Sequence, residues 1–227
     1  MKTIYNGAVV ELKKIFGHKK YLVLLILQII IFGLSSINTG VATSTKIMAA
    51  STKLYFINYL VIPLTVFMLA ADVFPQEFND LSIKNVMLRP ISRFKIFVSK
   101  ILAIIAFMFI NLGLLGITVT LVGRAFSLKV IALYLANILP CLAFAALGIF
   151  IALIFKTSTL SMFISIVVYL SMILLQLYNT TMGAMLFTSQ LGFYKEIGAA
   201  SNQILMFISW FLFLSVINLT IFERKDI

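Results

Sequence analysis

Charged residues divide the chain into long apolar segments. Six runs contain no Asp, Glu, Lys or Arg, and they cover residues 21–45, 54–71, 101–123, 130–155, 157–194 and 197–222. A helix needs roughly 20 apolar residues to cross the hydrocarbon core of a bilayer, and each run suffices once the second borrows residues 72–74. The pattern therefore predicts an all-α polytopic membrane protein with six transmembrane helices.

The composition also indicates a protein that is surrounded by lipid and built of helices. Hydrophobic residues make up 62% of the 227 positions and charged residues only 11%, a balance that a water-soluble domain could not bury. The apolar runs are continuous, without the alternation over about ten residues that a membrane barrel requires. Helices also satisfy their own backbone hydrogen bonds in lipid. We therefore expect one transmembrane domain over residues 1–227.

Positive charge is distributed unevenly between the connecting segments. If the N-terminus is cytoplasmic, 13 basic residues fall on the cytoplasmic side and 5 on the outer side. The outer five are Lys46, Lys53, Arg124, Lys129 and Lys195. The positive-inside rule then predicts that both termini are cytoplasmic, in a multi-pass protein of a cell membrane. Topology thus accounts for the net charge of +11, and no nucleic-acid partner is expected.

The N-terminal segment, residues 1–20, precedes the first apolar run and has helical periodicity. Over residues 2–16, most apolar side chains share an arc of roughly 140°, with Lys2 and Lys13 on the opposite side, and Val10 breaks the pattern. This predicts a cytoplasmic amphipathic helix in the membrane interface, with its basic face toward anionic headgroups. The alternative is a basic flank without an ordered helix.

Two connecting segments differ from simple turns. Residues 75–95 mix charged and apolar side chains and are the predicted cytoplasmic docking loop. The fifth apolar run is too long for one span, since it reaches residue 194 and becomes rich in Asn, Thr and Gly after Gln176. We interpret residues 159–177 as a span and residues 178–203 as an outer re-entrant hairpin, because irregular backbone at membrane depth is tolerated where protein covers it.

Chemical motifs are scarce. The sequence contains no P-loop, so this chain is not expected to hydrolyse ATP by that route or to bind a cofactor. His18 is the single histidine and Cys141 the single cysteine, which excludes a typical metal cluster, a His-based triad and an intramolecular disulfide. We expect Cys141 to be core packing. Catalytic and metal-binding residues are therefore not predicted.

Polar residues within the apolar runs are interpreted as contacts between helices. They are Gln28, Asn58, Asn111, Asn137 and Gln176. Buried amides more often connect helices than bind substrate. Gly113 and Gly116 are interpreted in the same way, as positions where helices approach closely. Asp72 is placed at the cytoplasmic end of the second span, so no carboxylate is expected deep in the membrane.

The loop after the second span carries a recognisable pattern. Glu77 is followed by Leu88-Arg89-Pro90-Ile91-Ser92-Arg93 and then by Lys100, which leads into the third span. This resembles the permease subunit of type-2 ATP-binding-cassette exporters, whose stretch has an acidic residue, a Gly-Thr pair, a Leu-x-x-Pro-x-Ser-Arg segment and a Lys. The resemblance extends to the amphipathic helix, the six spans and the hairpin. The chain departs from the family at Leu81-Ser82, where Gly-Thr is usual.

The resemblance implies a function and a set of contact residues. In that family the loop is a coupling helix pressed against a separate ATPase subunit, which holds ATP-Mg, and two permeases, identical or homologous, form the export path. The implied contact residues are Glu77, Phe78, Leu81, Met87, Arg89, Pro90, Ser92 and Arg93. Charge pairs would fix the register and the apolar side chains would fill a groove. The alternative for Arg89 and Arg93 is simple anchoring at headgroups.

The expected function is therefore that of an exporter permease in a bacterial cytoplasmic membrane. An amphipathic or hydrophobic cargo, such as a peptide, lipid or drug, fits the apolar spans and the short outer segments. Self-protection against membrane-active peptides is one alternative within this class. A non-transporting assembly or sensor subunit and a membrane-embedded enzyme are rivals from other classes, and the enzyme lacks clustered intramembrane carboxylate or histidine groups.

Overall fold

The computed structural model describes residues 2–38, 61–75, 92–122, 138–155, 157–178 and 201–224. These residues form seven helices. In chain order they are α1 (Lys2–Gly17), α2 (Lys19–Asn38), α3 (Val61–Pro75), α4 (Arg93–Val122), α5 (Ile138–Ile154), α6 (Ser158–Tyr178) and α7 (Ser201–Arg224). The described part of the chain is helical apart from a few connecting residues. The prediction of an all-α protein is therefore confirmed for these ranges.

Several helices are long and apolar enough to cross a membrane. By length and composition they are Arg93–Val122, Ser158–Leu175 and Leu205–Arg224. The pair Ile4–Gly17 and Lys19–Leu34 passes the same test together but is bent by 72°. The described parts of α3 and α5 are apolar and shorter. The protein is thus a helical membrane protein with three or four candidate spans in its described ranges, and the count of six stays a prediction.

The helix boundaries overlap two predicted segments. Pro75 is the last described residue of α3, and Arg93 and Lys95 belong to the first turn of α4. The predicted docking segment 75–95 therefore begins and ends in helices, residues 76–91 lie outside the described ranges, and its docking role stays a prediction. The predicted hairpin 178–203 overlaps α6 at Tyr178 and α7 at residues 201–203, and residues 179–200 lie outside the described ranges.

The core is built around α4 and α5. Helix α4 contacts α1, α2, α5 and α7, and α5 also contacts α6 and α7. Most residues of α5 are buried, including Cys141, as the sequence predicted. Apolar side chains on α2, α6 and α7 instead point outward, for example Leu27, Phe163 and Phe213. These exposed apolar faces suit lipid contact.

Polar contacts connect the helices as expected at one predicted position. Gln28 on α2 donates from Nε2 to Thr65 Oγ1 on α3 over 2.7 Å, which confirms its role between helices. On α7, Asn218 donates from Nδ2 to the carbonyl oxygen of Ala146 on α5 over 2.8 Å, a contact that the sequence analysis missed. Asn111 is buried on α4, and Asn58 and Asn137 lie outside the described residues.

One predicted close approach is not seen. A β-carbon added at Gly113 on α4 would meet no described atom within 4 Å beyond its own helix turn, so no described helix approaches this residue closely. Gly116 is buried on α4, and its role in a close approach stays a prediction. The close approaches lie elsewhere, at Gly7 on α1 and Gly148 on α5. Glycine identity alone does not reveal which face of a helix meets a neighbour.

Candidate functional site

The structure describes two of the predicted contact residues. Glu77, Phe78, Leu81, Met87, Arg89 and Pro90 lie in residues 76–91, outside the described ranges. Ser92 is exposed immediately before α4, and its carbonyl oxygen accepts hydrogen bonds from the backbone N–H groups of Lys95 (2.9 Å) and Ile96 (3.3 Å). Ser92 therefore marks the point where the predicted loop becomes helix, at the N-cap position that favours serine.

Arg93 connects the start of α4 to the end of α7. Its Nη1 donates to the backbone carbonyl oxygen of Glu223 over 2.7 Å. The last carbonyl groups of a helix have no partner within the helix, and a cation is stabilised beside them. Arg93 thus ties the downstream end of the predicted loop to the C-terminal end of α7.

Three phenylalanines join the upstream end of the loop to the same helices. The ring of Phe74 at the end of α3 lies 5.8 Å from that of Phe97 on α4 and 5.7 Å from that of Phe222 on α7, and the last two are 5.8 Å apart. All three rings are buried. Such aromatic contacts stabilise packing beyond the area that they bury. Both ends of segment 76–91 are therefore anchored on α4 and α7.

A buried carboxylate lies three residues from the end of α3. Asp72 is fully buried, and it accepts hydrogen bonds from the hydroxyl groups of Tyr21 on α2 and Ser158 on α6. Lys20 Nζ forms an ion pair with the same carboxylate. A buried charge is costly unless it is paired and hydrogen-bonded, and here both conditions hold. We call Lys20, Tyr21, Asp72 and Ser158 the Asp72 cluster.

Helix α1 is held against α4 by a second ion pair. Lys100 on α4 is 1% exposed, and its Nζ lies 3.4 Å from Glu11 Oε2 on α1. The same ammonium lies 5.3 Å from the centre of the Phe74 ring, within the range of a cation–π contact. A β-carbon added at Gly7 would lie 3.1 Å from Ser99 Cβ, so α1 lies close to α4 at this point.

These contacts change the interpretation of the N-terminal helix. The helix over residues 2–16 is confirmed as α1, and its Ile15 is buried in the protein core with Leu12 and Phe16 packed around it. Tyr5, expected on the same apolar arc, is 69% exposed. The apolar face of α1 therefore packs largely on protein, while its other face is available to the interface.

Polar and charged contacts between helices gather at one end of the molecule. We call it the basic end. It contains the junction of α1 with α2, the C-terminal ends of α3 and α7, and the N-terminal ends of α4 and α6. The described residues contain no group of three or more His, Cys, Asp or Glu side chains that could hold a metal ion. Its polar groups are instead used between helices, with Asp72 joining α2, α3 and α6, and Arg93 joining α4 and α7.

The sequence analysis located Asp72 but missed its role. The available signal was that Asp72 directly follows the charge-free run 54–71. Lys20 directly precedes the run 21–45, and Tyr21 is its first residue. Ser158 gave no signal, because serine is common in this chain's apolar runs. Pairing across helices that are far apart in sequence depends on the tertiary arrangement, which one sequence does not contain.

Comparison with models of protein families shows a family for this chain. No curated protein matches the chain. One family model, described as "Protein of unknown function (DUF2705)", matches residues 21–227, which is most of the chain and includes every residue of the Asp72 cluster except Lys20. The chain therefore belongs to this DUF2705 family of proteins of unknown function.

Proposed function

We propose that this protein is the membrane-spanning permease subunit of an ATP-driven exporter. In this proposal a separate ATPase subunit binds ATP-Mg and docks on segment 76–91, and a second permease, identical or homologous, completes the export path. The cargo is amphipathic or hydrophobic, in keeping with the apolar surfaces of α2, α6 and α7. The chain itself carries out no ATP hydrolysis.

The observation that supports this proposal most is the anchoring of segment 76–91 at both ends. Upstream, Phe74 packs on Phe97 and Phe222, and downstream Arg93 holds the carbonyl group of Glu223. A force applied to this segment by a partner would act directly on α3, α4 and α7.

The proposal includes a topology. Six spans form one transmembrane domain with both termini in the cytoplasm, so the basic end is cytoplasmic, in the cytoplasmic membrane of a bacterium. Support comes from the exposed basic side chains Lys13, Lys95 and Arg224 at this end, since basic residues are retained on the cytoplasmic side. Residues 179–200 would then lie at the outer side, where the re-entrant hairpin is proposed.

The proposal is tested by co-expression with an ATPase chain encoded next to this gene. The complex is purified in nanodiscs, and copurification and ATP hydrolysis are compared for the unmodified chain, Glu77→Arg and Arg93→Glu. Lys13→Glu on the exposed face of α1 is the matched control, because it reverses a charge at the same end away from the segment.

We expect both test reversals to reduce copurification or to uncouple hydrolysis from the permease by about tenfold or more, because interfacial charge pairs contribute one to several kcal/mol. The control reversal should leave both properties unchanged. Absence of any copurifying ATPase, together with unchanged behaviour of the two variants, would refute the permease proposal and leave the helical membrane fold intact.

A further inference from the structure

Three serines on α6 form a polar face next to α3. Ser158, Ser161 and Ser165 are spaced by three and four residues, which places them on one side of a helix. Ser161 donates from Oγ to the carbonyl oxygen of Ala71 over 2.6 Å, and Ser165 donates to the carbonyl oxygen of Ser161 over 2.8 Å. Ser161 and Ser165 are fully buried. We call this contact of α3 and α6 the serine seam.

The serine seam is closed at both ends by different chemistry. Toward the middle of α6, Tyr169 is fully buried and packs edge to face on Phe144 of α5, with ring centres 5.5 Å apart. Toward the basic end, the Asp72 cluster covers the seam. Polar groups are therefore confined between an aromatic contact and a charged contact, in helices that are otherwise strongly apolar.

Within the Asp72 cluster, Lys20 is partly exposed and the carboxylate is buried. Asp72 has no exposed surface, whereas the side chain of Lys20 remains 40% exposed while it pairs with that carboxylate. Tyr21 is buried beside it, and Lys20 Nζ lies 5.1 Å from the centre of the Tyr21 ring. Loss of the carboxylate would remove, in one step, the acceptor that the Tyr21 hydroxyl on α2 shares with the Ser158 hydroxyl on α6.

We infer that Asp72 is a removable seal on the serine seam. While its contacts with Lys20, Tyr21 and Ser158 are intact, water from the basic end does not reach Ser165. When they break, the inner ends of α2, α3 and α6 separate and the serine face is hydrated. Serine hydroxyls tolerate both states, because they bond to backbone carbonyl groups when dry and to water when wet. The inference goes beyond the proposed function and holds whether or not an ATPase binds.

The test measures how fast a water-soluble reagent reaches the seam. Ser165→Cys is introduced with Cys141→Ala, so that the reporter is the single cysteine; the Ser165 hydrogen bond lies within α6, and its loss breaks no contact between helices. The purified full chain reacts with a charged methanethiosulfonate. The reaction rate is compared in the parent, Asp72→Ala, Asp72→Asn and Ser158→Ala, with Gln28→Leu as the control for a polar contact between α2 and α3 outside the cluster.

We expect Asp72→Ala to accelerate the reaction by about a hundredfold, because it removes the charged acceptor of two hydrogen bonds and one ion pair at once. Asp72→Asn and Ser158→Ala should give smaller increases, and Gln28→Leu should give none. A second reporter, Met108→Cys in the fully buried core of α4, should stay unreactive throughout.

Equal rates in the parent and both Asp72 variants would overturn the inference. So would acceleration at residue 108 together with residue 165, because the protein would then be loosened as a whole. If Asp72→Ala does not yield a monodisperse protein, the decision rests on Asp72→Asn, which keeps the side-chain volume. These outcomes are independent of the ATPase experiment, so failure of one proposal does not imply failure of the other.

Discussion

Gly148 on α5 lies directly against the backbone of Phe67 on α3. A β-carbon added at Gly148 would lie 2.8 Å from the Phe67 carbonyl oxygen and 2.9 Å from the β-carbon of Ala70. Real β-carbons essentially never come so close to a backbone atom, so the two helices could not keep this separation with any other residue. Small residues are what allow membrane helices to pack at short distance.

This contact gives a stability prediction with an internal control. Gly148→Ala should destabilise the protein by about 1–3 kcal/mol, since overpacking forces the helices apart. Gly113→Ala should be neutral or stabilising by up to about 1 kcal/mol, because alanine favours a helix and its β-carbon would meet no described atom. Thermal unfolding in detergent measures both. A loss of stability at residue 113 as large as that at 148 would contradict the packing described.

The ion pair that holds α1 gives a second prediction. Glu11→Gln should lower stability by about 1–3 kcal/mol, because Lys100 would remain almost fully buried without this carboxylate. Adding Lys100→Met should recover much of the loss, since an apolar side chain of similar volume suits the buried position. Lys14 is the exposed partner of Glu11, and Lys14→Gln should lower the free energy of unfolding by less than about 1 kcal/mol.

Thermal unfolding and limited proteolysis of α1 measure these effects together. In Glu11→Gln, α1 should be cleaved faster while the remaining helices are cleaved at the original rate. Equal stability of Glu11→Gln and Lys14→Gln would show that the pair with Lys100 does not hold α1 to α4.

The hydrogen bond between α2 and α3 gives a third prediction. Gln28→Leu removes the donor to Thr65 and should cost about 0.5–1.5 kcal/mol, the range typical of hydrogen bonds between membrane helices. Thr65→Val should cost a similar amount, and the double variant should cost less than the sum because both lose the same bond. Full additivity in thermal unfolding would show that the two side chains are not coupled.

A conservative substitution at Arg93 can distinguish a role in ATPase coupling from a role in stability. Arg93→Lys keeps the positive charge but loses the guanidinium geometry at the Glu223 carbonyl group. Because the bond is exposed, we expect a change in stability below about 1 kcal/mol. If the proposed permease function holds, ATPase coupling should fall several-fold with stability preserved, because a lysine ammonium does not reproduce the contacts of a planar guanidinium group. A loss of stability that parallels the loss of coupling would instead indicate a purely structural residue.

The proposed topology can be checked in whole cells. Single cysteines placed at Lys13 and Arg224 should be protected from an impermeant thiol reagent added outside. Cysteines in the segments 39–53 and 123–129 should be labelled. Positive-inside asymmetry predicts this pattern. External labelling at Lys13 would reverse the orientation, and labelling at Arg224 alone would exclude an even number of spans.

The sequence predicted what depends on local composition. The apolar runs correspond to helices α2 to α7, and the periodicity of residues 2–16 predicted α1, because lipid leaves the backbone few alternatives to a helix. Contacts between distant residues were not predictable in this way. Asp72 was placed at a helix end from the charge pattern, but its contacts with Tyr21 and Ser158 depend on how three helices assemble.

Glycine and aromatic residues also show that the sequence predicts helices but not the contacts between them. Of the two glycines predicted to allow a close approach, Gly113 meets no described atom within 4 Å, whereas Gly148, which was not predicted, does. The contact of Phe74 with Phe222 could not be distinguished in advance from the many other pairs that 21 phenylalanines allow. For the predicted contact residues, only Ser92 and Arg93 were placed by the structure, and the role of the loop stays a prediction.

The contacts of α7 at the basic end also determine the order in which the protein can assemble. Phe222, Asn218 and the carbonyl group of Glu223 complete contacts with α3, α5 and α4, all of which are synthesised earlier. Until α7 leaves the ribosome and enters the bilayer, Phe74, Phe97 and Arg93 lack these partners. These contacts at the basic end can therefore form only after α7 has been synthesised and inserted, so a chain truncated before α7 should be degraded faster in cells than the chain that contains it.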